Sequence, residues 1–200
     1  MLSWKDTVGG LLLSNAGSTS TSQVAAGINA KGSVKFIGAG SLYGNVQTGS
    51  PLATNQITVF VVTKPASSTA EQGVCALWQG GTEGWILFNN TDFSYNIQLG
   101  STNYNAGTVS SAAATYYFSW DGTSNELISS AVDGSTVLNG AAAVPLGAIT
   151  NCNMCIGDYT GSGLPYSGLV AEVILMSGYH GPTDPLVTAM TAWLASEYGT

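Results

Sequence analysis

Apolar residues recur along this chain at a period of two, the spacing of an extended strand with one face covered. In "TYYFSWDG" the aromatic rings of Tyr116, Phe118 and Trp120 fall on one side, and "SVKFIGAG" and "ITVFVVTKP" are rich in β-branched and aromatic residues with turn formers at their ends. Three further runs, "GVCALWQGG", "GWILFNN" and "FSYNIQLG", are separated by the turns "GGTEG" and "NNTD" and predict an antiparallel meander. Asp133-Gly134 sits between two runs as a type I′ hairpin turn demands. "YSGLVAEVILMSG" alternates Val170, Glu172, Ile174 and Met176 with Leu169, Ala171, Val173 and Leu175. Both sets are apolar apart from Glu172, so this strand is expected to be covered on both faces. The one helix signal comes last. Asp184 is placed to cap it, Pro185 opens it and Gly199 stops it, predicting a helix over about 185–198 with Leu186, Ala189, Met190, Trp193 and Leu194 as its packing stripe. About ten short strands and a terminal helix predict an all-β protein, an antiparallel jelly-roll β-sandwich.

Composition narrows the partners. A chain of 200 residues suits one domain. The expected division is an N-terminal arm or loop over 1–22, containing the polar run "SNAGSTSTS", followed by a single sandwich over 23–200. Hydrophobic residues make up 44% of the chain and charged residues only 8%, so its polar surface is mostly hydroxyl and amide. Four lysines and no arginine stand against eleven acids, for a net charge of -7, which argues against a nucleic-acid partner. The longest apolar runs are of strand length, so no membrane span is expected. "MLSWKDTVGGLLLS" lacks the basic start and long apolar centre of an export signal. Three cysteines make an odd number, and Cys152 and Cys155 lie three apart in a strand-like segment, facing opposite sides. Structural thiols are therefore expected in preference to a metal or redox pair.

The order of several motifs resembles the concanavalin A-like, laminin G-like jelly-roll superfamily in its phage and bacterial form. "SWKDTVGG" is similar to that family's opening, "GINAKGSVKFIGAGSLYG" and "ITVFVVTKP" to two of its strands, and "AVDGSTV" to its hairpin. The closing "CIGDY" with "YSGLVAEVILMSGYHGPTDPLVTAMTAWLASEYG" is the most specific piece. The resemblance runs nearly end to end and implies that Glu172 belongs to the fold pattern. Related glycan hydrolases carry two glutamates flanking an aspartate at alternate positions of one strand, and nothing of the kind is found here. The charged residues usual in the family's last helix are here Ala, Thr and Met, so that helix is expected to face another surface.

Candidate chemistry is sparse. Glycoside hydrolysis needs two carboxylates about 5–9.5 Å apart, and Val170, Ile174, Gly168 and Met176 occupy the positions two and four away from Glu172. Glu172 is expected to accept hydrogen bonds from a neighbouring loop, because a buried carboxylate without donors is costly. The single histidine, His180, lies in a turn, and no G-x-S-x-G elbow is present. Asp121, Asp133 and Asp158 are candidates for calcium at the sandwich rim, without a recognisable calcium loop. Trp78, Trp85, Tyr95 and Tyr104 are candidates for stacking on sugar rings.

No catalytic, cofactor or metal residue is assigned, and the expectation is a non-enzymatic structural or binding module. The first setting is the surface of a bacteriophage virion: a capsid decoration or cement protein, or a fibre-like protein, made in the host cytoplasm and bound to capsid or other virion subunits. The alternative is a carbohydrate-binding, lectin-like module of a phage tail or a secreted bacterial protein, reading a cell-surface glycan. Sparse charge on a neutral surface also predicts a homo-oligomer.

Overall fold

The computed structural model describes residues 3–5, 12–14, 21–38, 40–46, 54–66, 71–80, 83–89, 94–99, 102–123, 127–141, 152–158 and 164–200. In chain order its strands are β1 (Ser3–Lys5), β2 (Leu12–Ser14), β3 (Thr21–Ile28), β4 (Lys31–Ile37), β5 (Leu42–Val46), β6 (Gln56–Pro65), β7 (Gln72–Gly80), β8 (Glu83–Asn89), β9 (Ser94–Leu99) and β10 (Thr102–Thr108). They continue with β11 (Ala114–Asp121), β12 (Leu127–Val132), β13 (Ser135–Ala141), β14 (Cys152–Ile156) and β15 (Ser167–Ser177), and helix α1 (Pro185–Tyr198) follows. Two antiparallel sheets result. One has the order β1-β2-β5-β14-β7-β8-β9-β10 and the other β13-β12-β11-β6-β15-β4-β3, so neighbours in space are often far apart in sequence. The expected antiparallel jelly-roll sandwich with one C-terminal helix is the architecture observed.

The period-two pattern fills the space between the sheets. Phe36, Leu42, Val59, Val61, Leu77, Leu87, Ile97, Phe118, Trp120, Met154 and Val170 form one continuous core. The other face of the seven-stranded sheet is apolar too. There Phe60, Val62, Tyr117 and Ala171 pack with Ile28 beneath Val187 and Leu194 of α1. Two covered faces explain why β6 and β15 read as nearly unbroken apolar runs.

Four expectations need correction. First, the alternation along β15 changes phase: Val170 pairs with Thr63 and Glu172 with Val62, leaving Ala171 as a bulge. Val170, Val173 and Leu175 consequently point between the sheets, while Leu169, Ala171, Ile174 and Met176 pack toward the helix. One extra residue in a strand reverses every later side chain relative to the earlier ones.

Second, α1 is rotated from its expected stripe. Val187 and Leu194 are buried and Met190 and Tyr198 pack beside them, whereas Leu186 is 41% and Trp193 46% exposed. Its ends are as expected: the Asp184 carboxylate accepts from the Leu186 N–H at 2.8 Å, and Gly199 adopts φ 69° as the left-handed stop.

Third, the segment expected to be an arm contributes strands. β1 pairs with β2, β2 joins β5 through Ser14 and Tyr43, and Leu13 lies in the core. β3 is already a sheet strand from Thr21. Fourth, β3, β5 and β10, rich in Ser, Ala, Gly and Asn, carry too little apolar pattern to be read as strands; their backbones are held by ladder partners.

Candidate functional site

The faces of the sandwich that leave polar groups in solvent are the places to look for function. On the eight-stranded sheet, residues alternating with the core side chains make rows across the strands. One row runs through Tyr43, Cys155, Ala76, Ile86, Gln98 and Asn103 on six neighbouring strands. A second runs through Asn45, Asn153, Trp78 and Gly84. The centre of the first row is closed to solvent at Cys155 and Ala76. Its rims are open: Tyr43 is 44% exposed beside the exposed Asn45, and Asn103 and Asn105 are exposed on β10. The Asn45 amide donates to the Asn153 carbonyl oxygen at 3.5 Å, pairing two amides next to the Tyr43 ring.

The four candidate stacking aromatics divide. Trp78 has a strand position opposite Asn153, in the amide row. Trp85 pairs with Leu77 and Leu99, two core positions. The side chains of these two tryptophans lie outside the described residues. Tyr95 is fully buried between the sheets, its ring centroid 3.7 Å from that of Tyr116, so it presents no face to a sugar. Tyr104 pairs with Ile97 and packs, partly buried, against the same core. What the sequence reading missed is Tyr43: "LYGNV" is too short and polar to declare which side its tyrosine faces, and only the pairing with β14 reveals it.

The three acids considered for calcium do not converge. Asp133 sits in the β12–β13 turn and accepts from the Thr115 N–H at 2.7 Å, at the start of β11. Asp121 ends that same strand and accepts from the Gln56 amide at 3.0 Å. Asp158 follows β14, in the opposite sheet. Among the described residues no group of three His, Cys, Asp or Glu could hold a metal ion. The thiols are buried: Cys75 and Cys152 face the core, and burial holds Cys155 up at about 12 and Cys152 at about 11. His180 anchors the turn before α1. Its N–H is within reach of the Ser119 and Thr58 hydroxyls at 2.9 and 3.1 Å, its carbonyl accepts from the Tyr117 hydroxyl, and its ring meets the Asp184 carboxylate at 2.9 Å.

A second open feature lies on the opposite sheet, where the rotated helix leaves a groove of about 580 Å³ lined by Glu172, Ile174, Leu186, Ala189, Met190 and Trp193. The Tyr198 hydroxyl donates to Glu172 Oε2 at 3.1 Å, so its partner is the helix end and not the loop expected. Burial pushes the Glu172 carboxyl above its usual range, against the hydrogen bonds from Tyr198 and the Val173 N–H. Glu172 is the one acid in this lining.

No family model and no curated protein sequence matches the chain. Solved structures do. Domain 4 of AbnA, a GH43 extracellular arabinanase from Geobacillus stearothermophilus, in complex with arabinotriose, superposes with a TM-score of 0.69 at 16% identity over 94% of this chain and 92% of that one. The likeness is one of fold, an antiparallel β-sandwich. The CBM40 of Ruminococcus gnavus IT-sialidase bound to α2,3-sialyllactose matches at TM-score 0.57 and 17% identity, covering 72% of this chain and 86% of that one. Trypanosoma rangeli sialidase matches at TM-score 0.70 and 13% identity; the chain covers 31% of that protein, with 96% of its own length aligned.

Proposed function

We propose that the protein is a non-catalytic module that binds a neutral glycan at the open Tyr43 rim on the outer face of its eight-stranded sheet. The observation that carries this is the juxtaposition of the exposed Tyr43 ring with the Asn45–Asn153 amide pair, with the Trp78 strand position next in the same row. An aromatic ring offers an apolar face to the C–H side of a sugar, and an amide both donates to and accepts from hydroxyls. Such a surface fits uncharged sugars, in keeping with a chain in which 8% of residues are charged. A similar sandwich solved with arabinotriose, an uncharged sugar, supports the class of ligand, and one solved with the acidic sialyllactose supports glycan binding in general. The non-catalytic reading is supported by Glu172, the one acid in the lining of its groove, where glycoside hydrolysis needs two carboxylates.

A glycan array followed by calorimetry tests the proposal. A neutral oligosaccharide is expected to bind, with Tyr43→Ala and Asn153→Ala each weakening it at least tenfold and no reducing ends released. Absence of any glycan ligand, or full binding by both variants, overturns it. The surface of a virus particle is the setting we propose for this module, because a chain with few charged and many hydroxyl and amide side chains suits a subunit packed among others. Co-purification with washed particles supports that setting; its absence from them removes it and leaves the secreted, lectin-like alternative.

A further inference from the structure

We propose that the groove between β15 and α1 is a second binding site, for an organic ammonium ion carried on an apolar body. It is separate from the glycan face and lies on the other sheet. Its volume of about 580 Å³ falls within the range of small-ligand sites, about 300–1,000 Å³. Its walls select the ligand by elimination. A sugar brings several hydroxyls that each require a partner, and this lining offers one carboxylate among Ile174, Leu186, Ala189, Met190 and Trp193. An anion meets Glu172 and is repelled. A neutral hydrocarbon buries Glu172 further without supplying a charge to offset the loss of water.

An alkylammonium ion satisfies every wall. Its charge faces the Glu172 carboxylate, whose described hydrogen-bond donors, the Tyr198 hydroxyl and the Val173 N–H, are neutral. Lys31 is engaged elsewhere, 2.6 Å from Glu197. The exposed Trp193 indole supplies a face for the cation, and Leu186, Met190 and Ile174 cover the hydrocarbon. The rotation of α1 that places Val187 and Leu194 underneath leaves Leu186 and Trp193 free for this purpose.

The test is a titration with n-hexylammonium chloride against n-hexanol at neutral pH, followed by calorimetry and by the methyl resonance of Met190. Hexylammonium is expected to bind and shift that methyl, with hexanol at least tenfold weaker. Glu172→Gln is expected to lose at least tenfold in hexylammonium affinity and to leave hexanol unchanged, and Trp193→Ala to weaken both. Both substituted side chains are partly or largely exposed, and circular dichroism verifies that the variants fold. Equal binding of hexanol and hexylammonium, no binding of either, or an unaffected Glu172→Gln protein overturns the proposal. Tyr43→Ala is expected to bind hexylammonium like the parent protein, so failure here and failure at the glycan face are read independently.

Discussion

Glu172 couples folding to pH through its burial. Its carboxyl is held above the usual range, first by burial, with the Tyr198 hydroxyl and the Val173 N–H opposing. Between the ordinary and the raised value the folded protein therefore holds more protons than the unfolded chain. The favourable balance is fully present below the ordinary carboxylate pKa and is lost as pH rises through the raised one. Glu172→Gln is expected to abolish that part of the slope in urea-unfolding free energy against pH. At neutral pH it should stay within about 1 kcal/mol of the parent, because the glutamine carbonyl still accepts from Tyr198. An unchanged slope in the variant contradicts the assignment. Neither the bulge at Ala171 nor the partner Tyr198 was visible in the alternating sequence, since one depends on pairing with β6 and the other on a helix that begins thirteen residues later.

Among the elements, α1 shows the difference between reading ends and reading faces. Its cap and stop are local chemistry, and Asp184, Pro185 and Gly199 declare them. Its face is set by what lies beneath, here Phe60, Val62 and Tyr117. Leu194→Ala is expected to destabilise by about 2–5 kcal/mol, because a fully buried side chain leaves a cavity. Trp193→Ala, at an exposed position, should cost no more than about 0.5 kcal/mol. Denaturant midpoints of the two variants decide the matter: a larger loss at Trp193 restores the stripe expected from sequence. Removing α1 after Gly181 exposes the second apolar layer, and a chain ending there is expected to be unfolded or aggregated by circular dichroism and size exclusion. The hairpins behave like the helix ends. Asp133 and Gly134 take φ 48° and 78° as the turn requires, whereas Asn29 and Ala30 form a similar turn at φ 45° and 58° that the sequence does not advertise. That turn is secured by its neighbours, the Asn29 amide donating to the Glu197 carbonyl at 2.9 Å.

At the scale of the whole molecule, the described residues are held by two apolar layers and scarcely by charge. Lys31–Glu197 is an exposed pair, of a kind that contributes about 0–1 kcal/mol, and the His180–Asp184 contact is also open to solvent. With a net charge of -7, added salt mainly screens self-repulsion. Raising sodium chloride from low concentration to about 0.5 M is expected to leave Tm unchanged or raise it by no more than about 2–4 °C, the response of a chain this size to about 1 kcal/mol. A marked fall in Tm would reveal stabilising ionic interactions beyond these two pairs.

Sequence by itself determined the class of fold, the long central strands, the Asp133-Gly134 turn, the helix and its caps. These follow from period, turn chemistry and composition, which act within a few residues. Tertiary structure alone decided the order of strands, the phase change within β15, the rotation of α1 and the recruitment of Leu13 and the Ser- and Asn-rich strands into sheets. It also decided which aromatics face solvent: Tyr95 and Tyr43 occupy strands of similar polarity, and the first is buried against Tyr116 while the second stands open beside Asn45. The physical reason is that a strand's two sides are equivalent in its own sequence, and the side that becomes the interior is chosen by partners distant along the chain.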